Sequence, residues 1–137
     1  MQKKFKRFKR ASGILLNISS LPGEFGIGCF SHDADAFADI AADMGFSWWQ
    51  ILPITTVGCG NSPYSGISTY AGNRMYICPQ ELEREGLLSS DEVNACKYHG
   101  EPYRTDYDFA RLNSERYLRL AYSRVTSEIK AEIEAFR

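Results

Sequence analysis

Apolar and polar positions change rhythm several times along the chain, and each change predicts an element. Ser12-Gly13 leads into the short apolar run Ile14-Leu15-Leu16, whose length suits a buried strand. Residues Asn17 to Gly28 are then rich in Ser, Pro and Gly and read as a loop. Ser31 is placed to cap a helix, with Asp33 and Asp35 suited to its first turn. Phe37, Ile40, Ala41 and Met44 recur at i, i+3, i+4 and i+7 before Gly45 stops it. Phe46 to Leu52 forms a second apolar strand, ended by Pro53. A second long loop follows and contains GCGNSPYSGISTYAGN, residues 58 to 73. The order strand, loop, helix, strand, loop predicts an α/β fold with parallel strands, because the helix carries the chain back to its starting end. Both long loops then emerge at the C-terminal ends of their strands, the edge where functional groups gather.

After Tyr76-Ile77-Cys78 the pattern becomes helical. Pro79 suits a first helical turn, with Gln80-Glu81-Leu82 behind it, and Ser89-x-x-Glu92 has the form of a capping box. Leu118, Ala121, Val125, Ile129 and Ile133 form one stripe of what reads as a single long helix from about Tyr107 to the end. There is no internal repeat.

Composition narrows the class. At 137 residues with 44% hydrophobic and 13% aromatic content, the chain suits one globular core. No apolar run approaches the ~20 residues needed to span a bilayer, and the basic start is not followed by a signal-peptide core. A soluble cytoplasmic protein is expected, with no membrane or nucleic-acid partner. The first ten residues, MQKKFKRFKR, hold six of the sixteen Lys and Arg, so residues 11 to 137 carry ten basic against seventeen acidic groups, a balance of -7. The leader, residues 1 to 10, reads as a solvated and poorly ordered tail without an assigned function. Cys29, Cys59, Cys78 and Cys96 include no C-x-x-C pair, and His32 and His99 lie at no metal-ligand spacing from them. Reduced, unpaired thiols and no metal are expected. The sequon Asn17-Ile18-Ser19 sits at the end of a strand and would matter only in a secreted protein.

Several chemistries lack their residues. Gly26-Ile27-Gly28 and Gly58-Cys59-Gly60 begin a phosphate-binding loop but lack its third glycine, and no Gly-Lys-Ser/Thr occurs, so no nucleotide cofactor is expected. Neither histidine is tied by spacing to a nucleophile. Asp33 with Asp35 and Asp39 with Asp43 fall on a helix surface. The strand ends instead collect Trp48, Trp49, Tyr64 and Tyr70 near Gln50, Asn61, Ser62, Ser68 and Asn73. Aromatic faces with fixed amides and hydroxyls suit a neutral polyhydroxylated ligand such as a glucan, whose C–H faces stack on rings while its hydroxyls need directed hydrogen bonds. Strand alternation places one of Trp48 and Trp49 inward and the other outward.

The runs SGILLNISSLPGEFGIG, WWQILPITTVGCGNSPYSGISTYAGN and LEREGLL closely resemble the N-terminal part of the 4-alpha-glucanotransferases of the amylomaltase (disproportionating enzyme) family. The similarity runs from about Ala11 to Glu92 and more loosely through the Tyr107 helix. The resemblance implies the N-terminal part of a (β/α)8 barrel, with its first two β/α units over residues 11 to 78 and the start of a helical insertion over 79 to 137. A complete barrel takes ~250 residues. It also implies a retaining transfer of α-1,4-glucan segments between maltodextrins, through an Asp nucleophile, a Glu acid/base and a further Asp. None of the motifs that carry those carboxylates is present, so no catalytic residue is assigned.

By the same resemblance the Ser-Pro-Tyr motif at Ser62, Pro63 and Tyr64, with Asn61 before it, contacts glucose units away from the cleavage point. Three positions depart from many relatives: Cys59 stands for Tyr at a second, outer glucan site, Asn17 for His and Asn61 for Asp. The expected partners are malto-oligosaccharide and the missing C-terminal part of the barrel. The chain alone is expected to be inactive and, with strand edges and a sheet face uncovered, to self-associate or be poorly stable.

Overall fold

The computed structural model describes residues 10–101 and 103–136, so the basic leader apart from Arg10 lies outside the described residues. Strand β1 (Gly13–Leu15) and strand β2 (Trp48–Gln50) pair in parallel, with Gly13 opposite Trp48, Ile14 opposite Trp49 and Leu15 opposite Gln50. Helix α1 (His32–Asp43) connects them, as the alternation of patterns predicts. Helices α2 (Pro79–Arg84), α3 (Ser90–Asn94), α4 (Tyr107–Ser123) and α5 (Ser127–Phe136) follow.

Strand β2 is shorter than the apolar run that announces it, and β1 starts and ends one residue before its run. Leu16 N–H still donates to the Gln50 carbonyl at 3.0 Å, but from Asn17 the chain enters a 3-10 turn over Ile18–Ser20 and leaves β2 without a partner backbone. At the other end Phe46 N–H is taken by the Ala41 carbonyl at 3.0 Å as the chain leaves α1. The expected strand from Phe46 to Leu52 therefore contracts to three residues.

Helix α1 begins and ends where its caps require. The Ser31 hydroxyl accepts from Asp33 N–H at 3.2 Å, and Gly45 adopts φ 84° just past the helix, a conformation that costs a residue with Cβ about 1–2 kcal/mol. Ala34 and Ala41 are buried, and Phe37 meets the Trp49 ring edge to face at 4.8 Å. Trp49 is half-buried and Trp48 points to the other side with 70% of its surface exposed. The alternation expected for the pair is thus observed. Ile40 and Met44, on the same stripe of α1, remain exposed.

The loop from Asn17 to Gly28 sends Ile18, Leu21, Phe25 and Ile27 into the core despite its composition. Ile18, Leu21, Ile27, Ala34, Val57, Met75, Tyr76 and Ala110 form one buried cluster, with Leu16, Phe37, Trp49 and Tyr107 packed against it. Phe25, Cys29, Cys78, Leu88, Val93, Cys96, Tyr117 and Ala121 form a second. Each cluster draws residues from both sides of residue 78. The loop can pack so tightly because Gly28 lies against the Ile18 carbonyl oxygen, where any Cβ would overlap it. Asn17 is itself buried, which closes the sequon to modification in the folded chain. All four cysteines are free, with Cys59 exposed and the other three buried.

The capping box at the start of α3 is present in full: the Ser89 hydroxyl accepts from Glu92 N–H, and the Glu92 carboxylate accepts from Ser89 N–H at 2.8 Å. The single terminal helix expected from Tyr107 to the end is two helices. Arg124 closes α4, and Thr126 opens α5 by accepting from Ile129 N–H at 3.4 Å. The adjacent β-branched Val125 and Thr126 interrupt the run, the hydroxyl of the second offering the cap. The apolar stripe survives the break: Leu118, Ala121, Val125, Ile129 and Ile133 line one open groove with Leu82 and Leu87. Among the described residues no helix is long and apolar enough to cross a membrane.

Candidate functional site

The loop that leaves β2 folds back on itself before it returns to the core. Thr55 bridges Gly72 and Val57 bridges Gly66, both antiparallel, and Thr56 exchanges backbone hydrogen bonds with Ala71 and Ile67 at 3.0 Å each. Val57 is buried and roots this ribbon in the first core cluster. At its exit Asn73 accepts from Met75 N–H at 3.1 Å and starts the 3-10 turn Arg74–Tyr76. Small residues matter between these roots because two successive positions leave the usual backbone region: Gly60 has φ 92° and Asn61 has φ 56°. Asn tolerates the left-handed region better than most residues with a Cβ.

That geometry sets up the tip. Ser65 N–H donates to the Ser62 carbonyl at 3.0 Å, closing a turn with Pro63 and Tyr64 at its centre, and Pro63 presets the φ that the second turn position needs. Tyr64 N–H donates to the Ser62 hydroxyl at 3.3 Å, which braces the turn from inside. The Tyr64 ring is consequently raised from the surface with 75% of its area exposed. Tyr70 is presented by the same device: the Ser68 hydroxyl accepts from Tyr70 N–H at 3.2 Å and from Ala71 N–H at 3.0 Å, and the ring is 97% exposed.

Asn61, Ser62, Pro63 and Tyr64 are thus brought together on one tight turn. Trp48 and Gln50 lie on the exposed sheet face, Trp49 belongs to the core, and Asn73 is a buried cap rather than part of a ligand-facing surface. Asn17 lies buried at the end of β1, donating to the Ser19 hydroxyl at 2.8 Å and the Tyr76 hydroxyl at 3.4 Å. Two buried amide atoms, Asn17 Oδ1 and Asn73 Nδ2, have no partner among the described residues. Cys59 is exposed within the same loop.

A polar pocket of about 450 Å³ opens beside Asn61, lined also by Tyr98, Glu101, Arg104, Asp106 and Tyr107. The Tyr98 hydroxyl donates to Asp106 at 3.2 Å; burial and that carboxylate push its phenol up, so it stays neutral. Asp106 also caps α4, its side chain accepting from Phe109 N–H at 2.9 Å. The start of α4 is fastened to the first loop by three bonds: Asp106 N–H to Gly26 O at 2.8 Å, Thr105 hydroxyl to Ser19 O at 3.0 Å and Tyr107 hydroxyl to Ser19 hydroxyl at 3.3 Å. Sequence patterning offers no sign of this docking, since its partners are about 86 residues apart. Residues 51 to 77 contain no Asp or Glu, so the loop after β2 can bind and orient a hydroxylated ligand but cannot supply a carboxylate nucleophile or acid.

Comparison with known proteins identifies the setting of this loop. A family model described as 4-alpha-glucanotransferase matches residues 16–137. A 4-alpha-glucanotransferase of Synechocystis sp. is 40% identical over 126 residues, covering 92% of this chain and 25% of that protein. One of Aquifex aeolicus is 38% identical over 104 residues, covering 74% of this chain and 21% of that protein. Among solved structures an amylomaltase from Streptococcus agalactiae, determined in complex with acarbose, superposes with a TM-score of 0.88 at 35% identity over 93% of this chain and 26% of that one. The chain therefore spans about a quarter or less of the length of these relatives. With its parallel β1-α1-β2 unit and nearly all of its described residues matched, the chain belongs to the 4-alpha-glucanotransferase family.

Proposed function

We propose that residues 58–73 form part of the α-1,4-glucan-binding surface of a 4-alpha-glucanotransferase, in which Asn61, Ser62, Pro63 and Tyr64 hold glucose units away from the bond that is transferred. The observation that carries this reading is the Tyr64 ring, 75% exposed on a turn braced by Pro63 and the Ser62 hydroxyl. An exposed aromatic face that cannot swing freely loses little entropy on stacking against a sugar, and the neighbouring hydroxyls and amide offer directed bonds. The family and the acarbose complex of the Streptococcus agalactiae amylomaltase support a malto-oligosaccharide as the ligand.

In the same reading β1, α1 and β2 are the opening units of a (β/α)8 barrel and residues 79–137 begin a helical insertion. The exposed Leu15 and Trp48, and the bare edges of the two-stranded sheet, support completion by further barrel strands from outside these residues. The retaining transfer needs two carboxylates about 5–5.5 Å apart across the scissile bond. The loop after β2 has none, which favours a binding role for this chain and no transfer by it alone. The buried free thiols favour a reducing compartment such as the cytoplasm.

Titration of the 137-residue chain with maltoheptaose tests the site. Tyr64→Ala is expected to weaken binding roughly tenfold, and an unchanged affinity removes the assignment. Incubation with maltotriose tests the division of roles: no new products are expected, and the appearance of glucose with longer maltodextrins overturns it.

A further inference from the structure

We propose that Arg111 on α4 is a positioning residue for the glucan-binding turn, acting through Asn61; the ligand in this statement rests on the reading given above. Arg111 Nη2 donates to Asn61 Oδ1 at 2.7 Å across a separation of 50 residues. Its other terminal nitrogen donates to Asp108 Oδ1 at 3.3 Å, one turn earlier on α4, so the guanidinium is held from both sides. Among the described residues this is the one hydrogen bond that joins residues 54–72 to the helices.

The position of the contact gives it leverage. Asn61 stands immediately before Ser62 at φ 56°, and its side-chain oxygen is met from outside the loop by Arg111. The α4 end of the tie is anchored, because Thr105, Asp106 and Tyr107 bond to the first loop at Ser19 and Gly26. A donor carrying charge makes a stronger bond than a neutral one, and a delocalised guanidinium keeps that charge at every working pH. Arg111 therefore sets where the Tyr64 ring stands relative to the rest of the groove without touching the ligand itself.

Backbone exchange and affinity, measured together on the whole chain, test this. In Arg111→Met, exchange of the Asn61, Tyr64 and Ser65 amides is expected to quicken, and maltoheptaose affinity to fall, by roughly five- to tenfold. The thermal midpoint is expected to hold, since the contact lies at a half-exposed surface. Arg111→Lys, which keeps a charged donor, is expected to restore most of both. Asn61→Gly keeps the left-handed backbone and deletes the acceptor, so its amide exchange at Tyr64 and Ser65 should match that of Arg111→Met, and the double variant should exchange no faster than either. Unchanged exchange in Arg111→Met, or exchange in the double variant faster than in either single variant, overturns the proposal. A wild-type chain that does not bind maltoheptaose, or binds it equally as Tyr64→Ala, overturns the glucan reading instead, and the exchange data then decide the tie separately.

Discussion

Trp49 Nε1 donates to the Leu16 carbonyl at 2.8 Å, so the ring that fills the space between the sheet and Phe37 also fastens β2 to the residue that follows β1, just before the loop begins. One side chain thereby sets the spacing of the two strand ends from which both long loops depart. Trp49→Phe keeps a ring beside Phe37 but leaves the Leu16 carbonyl unpaired in a half-buried site. We expect a loss of about 1–2 kcal/mol, read as a lower urea midpoint with the slope unchanged. Since the chain has two tryptophans and Trp48 is the exposed one, fluorescence of the variant should shift to the red.

A second prediction concerns the first loop. A methyl group at Gly28 would overlap the Ile18 carbonyl oxygen and approach Leu21 O at 2.8 Å, both of them backbone atoms that cannot rotate aside. Gly28→Ala should therefore cost about 3 kcal/mol or more, comparable to a severe overpacking of the core. Gly45→Ala is the contrast: φ 84° strains any Cβ, yet nothing lies within 4 Å, so the loss should stay at about 1–2 kcal/mol. A loss at Gly28 no larger than that at Gly45 in thermal or urea melts would show that the Ile18–Leu21 backbone yields to the added methyl.

These two residues show what the sequence could and could not disclose. Local signals were legible because their partners are near in the chain: Ser31 and Gly45 bound α1, Ser89 and Glu92 form their box, and Trp48 and Trp49 alternate. The Ser62-Pro63-Tyr64 motif stood out through its resemblance to the family, and the turn that it forms is a finding of the structure. The Asn17–Gly28 segment carries the composition of a surface loop, but its apolar residues fold inward because Gly28 admits the neighbouring backbone, a tertiary contact that periodicity does not encode. The break between α4 and α5 was hidden because the apolar stripe continues through it. The bond from Arg111 to Asn61 spans 50 residues and leaves no pattern at all.

The helix α3 cap should make stability depend on acid. Arg124 donates to both Glu92 oxygens, at 2.6 and 2.7 Å, and Ser89 N–H adds a third bond. The Arg124 guanidinium, and then the Ser89 backbone, hold the Glu92 carboxyl down at about 2, against its ordinary 4.5. A carboxyl whose folded value lies below its unfolded one stabilises the fold above the unfolded value and loses that contribution as pH falls through the folded one. The midpoint difference between wild type and Glu92→Gln should thus be largest above about pH 4.5, shrink as pH falls toward 2 and be lost below it. A difference that is constant from pH 7 to pH 2 would mean that the ionised carboxylate adds nothing beyond the uncharged cap.

At the tip of the second loop, ring and hydroxyl can be separated. The Ser62 hydroxyl oxygen is already engaged by Tyr64 N–H, whereas the Tyr64 hydroxyl has no partner among the described residues. If the ring face does most of the binding, Tyr64→Phe should keep maltoheptaose affinity within about threefold, while Tyr64→Ala loses about tenfold. If the hydroxyl is aimed at a sugar oxygen instead, Tyr64→Phe alone should cost roughly fivefold, the value of one hydrogen bond. Ser62→Ala discriminates further, because it separates two ways in which Ser62 can serve the glucan, by bracing the ring from beneath or by a bond from its own hydroxyl. If the brace acts alone, it should weaken binding in proportion to how much it quickens exchange at Tyr64 and Ser65, and leave the Tyr64→Ala variant no weaker than before. Additive losses for Ser62→Ala and Tyr64→Ala would instead give Ser62 its own contact with the glucan.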